Sequence, residues 1–176
     1  MKTVPREVQA ALGPDILKGL HSRSDNMQEE REMPGDAMDR EKLRALAAFL
    51  DRIDTPDFSP GTWKGSERQE DGAIQMPWFC ASDIVDHFVQ AAYDLGWVRN
   101  FDWPQWMGTK EAIRLRDDPE ALGIATDDQL AKLLTVIIRQ DRFVEGSIEE
   151  AFESGFIRAI LVRAKALSDS GNDTEL

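Results

Sequence analysis

TDDQLAKLLTVIIRQ, residues 126–140, decides the fold. Leu130, Leu133, Leu134, Ile137 and Ile138 recur at three- and four-residue spacing, which puts them on one face of an α-helix. Val136 sits off that stripe. Thr126 and Gln129 have the spacing of a capping box, in which each side chain satisfies a backbone N–H of the other residue. A helix this apolar is expected at the centre of a domain, surrounded by others.

On the C-terminal side, Ser147 and Glu150 repeat the capping-box spacing and predict a short helix to about Ser154. Gly155 is placed to end it in a left-handed conformation. A last helix over 156–167 turns Phe156, Ile157, Ile160, Leu161 and Ala164 inward and leaves Arg158, Arg163 and Lys165 on its outer face. The polar tail SDSGNDTEL is expected to be disordered over 169–176. On the N-terminal side, Thr109 starts a helix over 109–116 that stops before Pro119. Ser82 caps a helix over 82–95 with Ile84, Val85, Phe88, Val89 and Ala92 on its core face, closed by Gly96. Asp39 caps a helix over 39–53 carrying Leu43, Leu46, Ala47, Leu50 and Ile53, with Pro56 beyond its end.

Between 56 and 77 the chain is punctuated by Pro60, Gly61, Gly65, Gly72 and Pro77. Thr62-Trp63-Lys64 and Ala73-Ile74-Gln75 are short extended pieces that would pair as a small hairpin. Val4, Val8, Ala11 and Leu12 outline a short helix broken at Gly13-Pro14, and residues 21–37 lack apolar periodicity. The expectation is a mainly α protein. A single helical domain over 38–168, with at most a small β-hairpin, follows a short helix and flexible polar arm over 1–37.

Lys and Arg number 21 against 33 Asp and Glu, a net charge of −12. Such a chain is repelled by nucleic acid and anionic lipid unless a basic patch is segregated on one face. No apolar run approaches the ~18 residues of a membrane span. Arg6 and Glu7 occupy the place of a signal peptide's apolar stretch, so a cytoplasmic location is expected. The one cysteine, Cys80, and the two histidines, His21 and His87, make neither an intramolecular disulfide nor a recognisable transition-metal motif. Asp83 with Asp86 and Asp117 with Asp118 read as solvated helix-end charges. Gly-rich phosphate loops and the G-x-S-x-G elbow are absent. No cofactor, metal or catalytic set is therefore expected, and an enzyme is the less favoured class.

Phe101, Asp102, Trp103 and Trp106 form an F-D-W-x-x-W segment. Thr135, Arg139, Arg142, Phe143, Glu145 and Gly146 follow as T-x-x-x-R-x-x-R-F-x-E-G, and Glu153, Gly155, Ile157, Ile160 and Leu161 as E-x-G-x-I-x-x-I-L. In these motifs residues 40–167 resemble an uncharacterised bacterial and phage family of unknown function. The resemblance implies a shared fold and a prokaryotic or phage origin, and implies no activity.

Asp102, Trp103, Trp106, Arg139, Arg142 and Glu145 are the candidate site, and two accounts of them stand side by side. In the first, Arg142 with Glu145 and Asp102 with one arginine form an ion-pair network that fixes the turn, with Gly146 supplying an unusual backbone angle. Truncating Arg142 in such a buried network is expected to cost roughly 3–5 kcal/mol. In the second, the guanidinium forks of Arg139 and Arg142 line an anion- or ligand-binding pocket walled by Trp103 and Trp106. Trp63 and Trp78 also lie in the body, and Trp97, Trp103 and Trp106 read as core before stacking platforms, because a base-stacking platform comes with a basic groove and 97–106 offers only Arg99, balanced by Asp102.

Three functions follow. The favoured one is an acidic, non-enzymatic protein-interaction module, a phage or mobile-element accessory or inhibitor that engages a basic nucleic-acid-binding partner and contacts neither nucleic acid nor membrane. The alternatives are a small-ligand or nucleic-acid-processing domain using the Arg/Glu/Trp pocket, and a structural protein that oligomerises through Val4, Val8 and Leu12.

Overall fold

The computed structural model describes residues 40–65 and 75–170. The helix and arm expected over 1–37, the dipeptide Ala73-Ile74 and residues 171–176 lie outside the described residues. The described chain is mainly α, with one two-stranded antiparallel sheet.

The helix expected over 39–53 is interrupted. α1 (Arg40–Ala47) and α2 (Leu50–Ile53) are separated by a tightened turn in which the Phe49 N–H donates to the Leu46 carbonyl at 3.1 Å. The turn sets Phe49 edge-on against Phe88, with ring centroids 5.4 Å apart. Burying that ring offsets the lost helical bond.

The hairpin exists, but its second strand is displaced from the expected 73–75. β1 (Gly61–Lys64) pairs with β2 (Trp78–Ala81), so that Trp63 faces Phe79 and Thr62 faces Cys80. Gln75 belongs to no strand. Cys80 is half-buried on β2.

α3 (Asp83–Asp94) begins at Ser82, whose hydroxyl accepts from the Val85 N–H, and buries Val85, Phe88 and Ala92. Two short helices were not anticipated. α4 (Trp103–Met107) is capped by the Asp102 carboxylate, and Pro104 sits in its first turn. α5 (Lys110–Asp117) is capped by Thr109 as expected. α6 (Pro119–Gly123) makes Pro119 an opener as well as a stop, because a first-turn residue has no intrahelical N–H bond to lose.

α7 (Asp127–Gln140) carries the full capping box. Thr126 accepts from the Gln129 N–H at 3.2 Å, and Gln129 accepts from the Thr126 N–H at 2.9 Å. Every residue from Leu133 to Ile138 is buried, Val136 and Thr135 included, so burial there is not confined to one face. The Thr135 hydroxyl donates to the Ala131 carbonyl at 2.7 Å and accepts from the Arg99 N–H at 2.9 Å.

α8 (Ser147–Glu153) lacks the expected capping box. Gly146 takes the cap position at φ +86°, and the Asp141 carboxylate accepts from the Ile148 N–H at 3.0 Å. Gly155, at φ +76°, turns the chain into α9 (Phe156–Asp169), which runs past the expected end at 167. α9 packs against α1, α2, α6, α7 and α8 and is the hub of the helical layer. Its arginines reach outward with partners. Arg158 holds Asp54 with two hydrogen bonds of 2.7 and 2.9 Å, and Arg163 donates to the Ala125 carbonyl. Phe88, Trp97, Leu130, Leu134, Ile157, Ile160 and Leu161 form the fully buried centre.

Candidate functional site

The six candidate residues fall on two elements and the turn between α7 and α8. Asp102 spends its carboxylate on the Gln105 N–H at 3.1 Å, which starts α4. That cap fixes the directions of Trp103 and Trp106, which diverge. Trp106 is half-buried, edge-on to Phe101, and its indole N–H donates to Glu111 at 2.9 Å. Hydrogen bonds from Gln129 and from Trp106 hold the Glu111 carboxyl below its ordinary pKa. Trp103 tilts over Phe143 with centroids 6.1 Å apart.

The turn Asp141–Gly146 carries the rest. The Arg142 guanidinium donates to the Tyr93 hydroxyl at 3.1 Å. Glu145 accepts the Phe79 N–H at 2.8 Å. The expected Arg142–Glu145 pair is not made among the described residues, and each side chain is bound to another element instead. Asp102 likewise serves its own helix instead of an arginine. Arg139, half-buried at the end of α7, has no hydrogen bond or ion pair among the described residues.

Sequence reasoning missed what the turn holds. Trp63 of β1 donates its indole N–H to Glu149 at 2.6 Å, and its ring lies over Gly146, where an added Cβ would stand 2.8 Å from a ring carbon. Glu145, Gly146 and Glu149 together seat the hairpin on the start of α8. Only the Glu145-Gly146 dipeptide hinted at this, and nothing local identifies Trp63 or Phe79 as its partners. With these side chains tied down, Phe143 is 77% exposed and Val144 53%. Tyr93, Trp63 and Trp78 add further exposed aromatic surface on α3, β1 and β2.

Two concavities adjoin the turn. The smaller, about 390 Å³, is lined by Arg142, Glu145, Phe79 and Gly146. The larger, about 590 Å³, has Trp106 in its wall and runs between α4, α5, α6, α7, α8 and α9. Asp102, Trp103 and Arg139 line neither. His87 is exposed and faces Arg52 across 3.4 Å. No cluster of three or more His, Cys, Asp or Glu suited to a metal ion occurs among the described residues, and no helix there is long and apolar enough to cross a membrane.

Residues 38–170 match a model described as a family of unknown function, DUF6508. No curated protein and no solved structure matches the chain.

Proposed function

The chain belongs to the DUF6508 family, which spans residues 38–170, and from that premise we propose that it is an acidic, non-enzymatic protein-interaction module that engages a basic partner. The observation that carries this reading is the 77% exposure of Phe143 on a turn whose neighbouring side chains are anchored. A large apolar side chain held out from a fixed turn contributes to binding at low entropic cost, because the ordering is done in advance. Trp103 and Val144 widen the surface, and Arg142 is drawn back toward Tyr93. The net charge of −12 favours encounter with a cationic partner and disfavours nucleic acid. A basic nucleic-acid-binding protein has the matching chemistry. Engaging it would make the module a cytoplasmic accessory or inhibitor of phage or mobile-element origin.

The test is capture from a nuclease-treated bacterial lysate by the full chain and by Phe143→Ser, read by mass spectrometry. A basic protein held by the wild type and released by Phe143→Ser, with the melting curve unchanged, is the expected result. Absence of any enriched basic protein, or equal capture by both chains, rejects the proposal.

A further inference from the structure

The larger concavity has the build of a small-molecule site. Its volume of about 590 Å³ is that of a ligand pocket. Its walls are apolar, formed by Leu115, Leu122, Leu133, Val136, Ile137 and Phe156.

Polar side chains gather at one end. Gln140 closes the last turn of α7, and Ser147 opens α8. The Val144 N–H donates to the Gln140 carbonyl and the Ser147 N–H to the Val144 carbonyl, so both residues are tied to Val144. Glu150 lies one helical turn beyond Ser147. Spacing alone assigned Ser147 and Glu150 to a capping box, yet Gly146 holds the cap position without a side-chain bond. Both side chains line the concavity instead, as does Gln140. None of the three side chains has a hydrogen-bond partner among the described residues.

The charges of the lining select a ligand. Arg116, the cationic side chain in the wall, is held by Asp117 through bonds of 2.7 and 3.1 Å, so its charge is compensated. Glu150 is the carboxylate left to act on a ligand, and the whole chain is strongly negative. An anionic head group is therefore disfavoured, and a protonated amine matches an acceptor-only carboxylate flanked by a hydroxyl and an amide. We propose that this concavity binds a small amphiphile with an apolar body and an amine head, the head at Glu150, Ser147 and Gln140. The proposal is independent of the interaction surface at Phe143.

Calorimetric titration of the full chain at low salt with octylamine, octanol and octanoate tests it. Octylamine is expected to bind saturably, about fivefold tighter than octanol, as an ion pair near the surface allows. Octanoate is expected to bind weakest. Glu150→Gln should abolish the advantage of octylamine and leave octanol unchanged. Ala159→Leu, at an exposed lining position, should weaken all three. The proposal fails if octylamine does not bind saturably, if octanoate matches it, if Glu150→Gln keeps the advantage, or if folded Ala159→Leu binds as wild type. Should Ala159→Leu not fold, the Glu150→Gln comparison decides alone.

Discussion

α7 starts with two hydrogen bonds between Thr126 and Gln129 and then buries every side chain from Leu133 to Ile138. The turn that follows is built differently. Its Arg142 reaches Tyr93 on α3, its Glu145 reaches Phe79 on β2, and its Gly146 lies under Trp63 of β1. The start of the helix is fixed by a local pair and its middle by burial, with Gln129 and Thr135 also bonded to Glu111 and Arg99, whereas Arg142 and Glu145 of the turn are held by distant partners. Apolar side chains not needed for that anchoring, Phe143 and Val144, are left facing solvent. A loop with an apolar tip thus arises where the polar side chains are bound to other elements.

The contrast can be broken at either side. The largest effect is expected from Leu134→Ala, at a fully buried position of α7, which should cost about 2–5 kcal/mol in denaturant unfolding. A smaller loss would mean that the core is not centred on this helix. Thr135→Val keeps the volume but strands the partly buried Arg99 N–H, and an unfolding loss of about 1–3 kcal/mol is expected.

Gly146 and Gly155 sharpen the comparison because their backbones are alike, at φ +86° and +76°. A Cβ at Gly155 meets nothing within 4 Å, whereas one at Gly146 meets the Trp63 ring at 2.8 Å. Alanine at either site should cost the left-handed strain of about 1–2 kcal/mol. Gly146→Ala should in addition displace Trp63, seen as a changed indole N–H resonance and faster amide exchange in the hairpin. Identical behaviour of the two variants would show that the hairpin is not seated on the turn. The smallest effect belongs to Arg142→Ala. It removes one exposed hydrogen bond to Tyr93, so the melt should fall by no more than about 1 kcal/mol. A loss of roughly 3–5 kcal/mol would restore the buried-network account.

The same division explains what the sequence made legible. Thr126 and Gln129 lie three residues apart, so their cap could be read from spacing, and so could the apolar stripe behind it. Ser147 and Glu150 share that spacing, but a left-handed Gly146 and the Asp141 carboxylate supply the start of α8 instead. Spacing reports that a cap is available and not that it is used. The second strand was misplaced because what fixes Phe79, the Glu145 carboxylate, lies far along the chain. Among the candidate site residues, Asp102 looked like a partner for arginine and serves as a helix cap, a role its position before Trp103-Pro104 already permitted. Arg142 and Glu145 looked like a pair because they are close in sequence, and each is claimed by an element read separately.

The packing of α1 against α9 bears on how the chain reaches this state. Helical bundles ordinarily assemble from neighbours, closing short loops and folding fast. Here the first and last described helices must find each other across roughly a hundred intervening residues, an entropic toll that grows only slowly with length but falls due before the core is complete. The hub helix is also the last described helix to leave the ribosome, so the earlier helices wait for α9 with part of their apolar surface open to solvent.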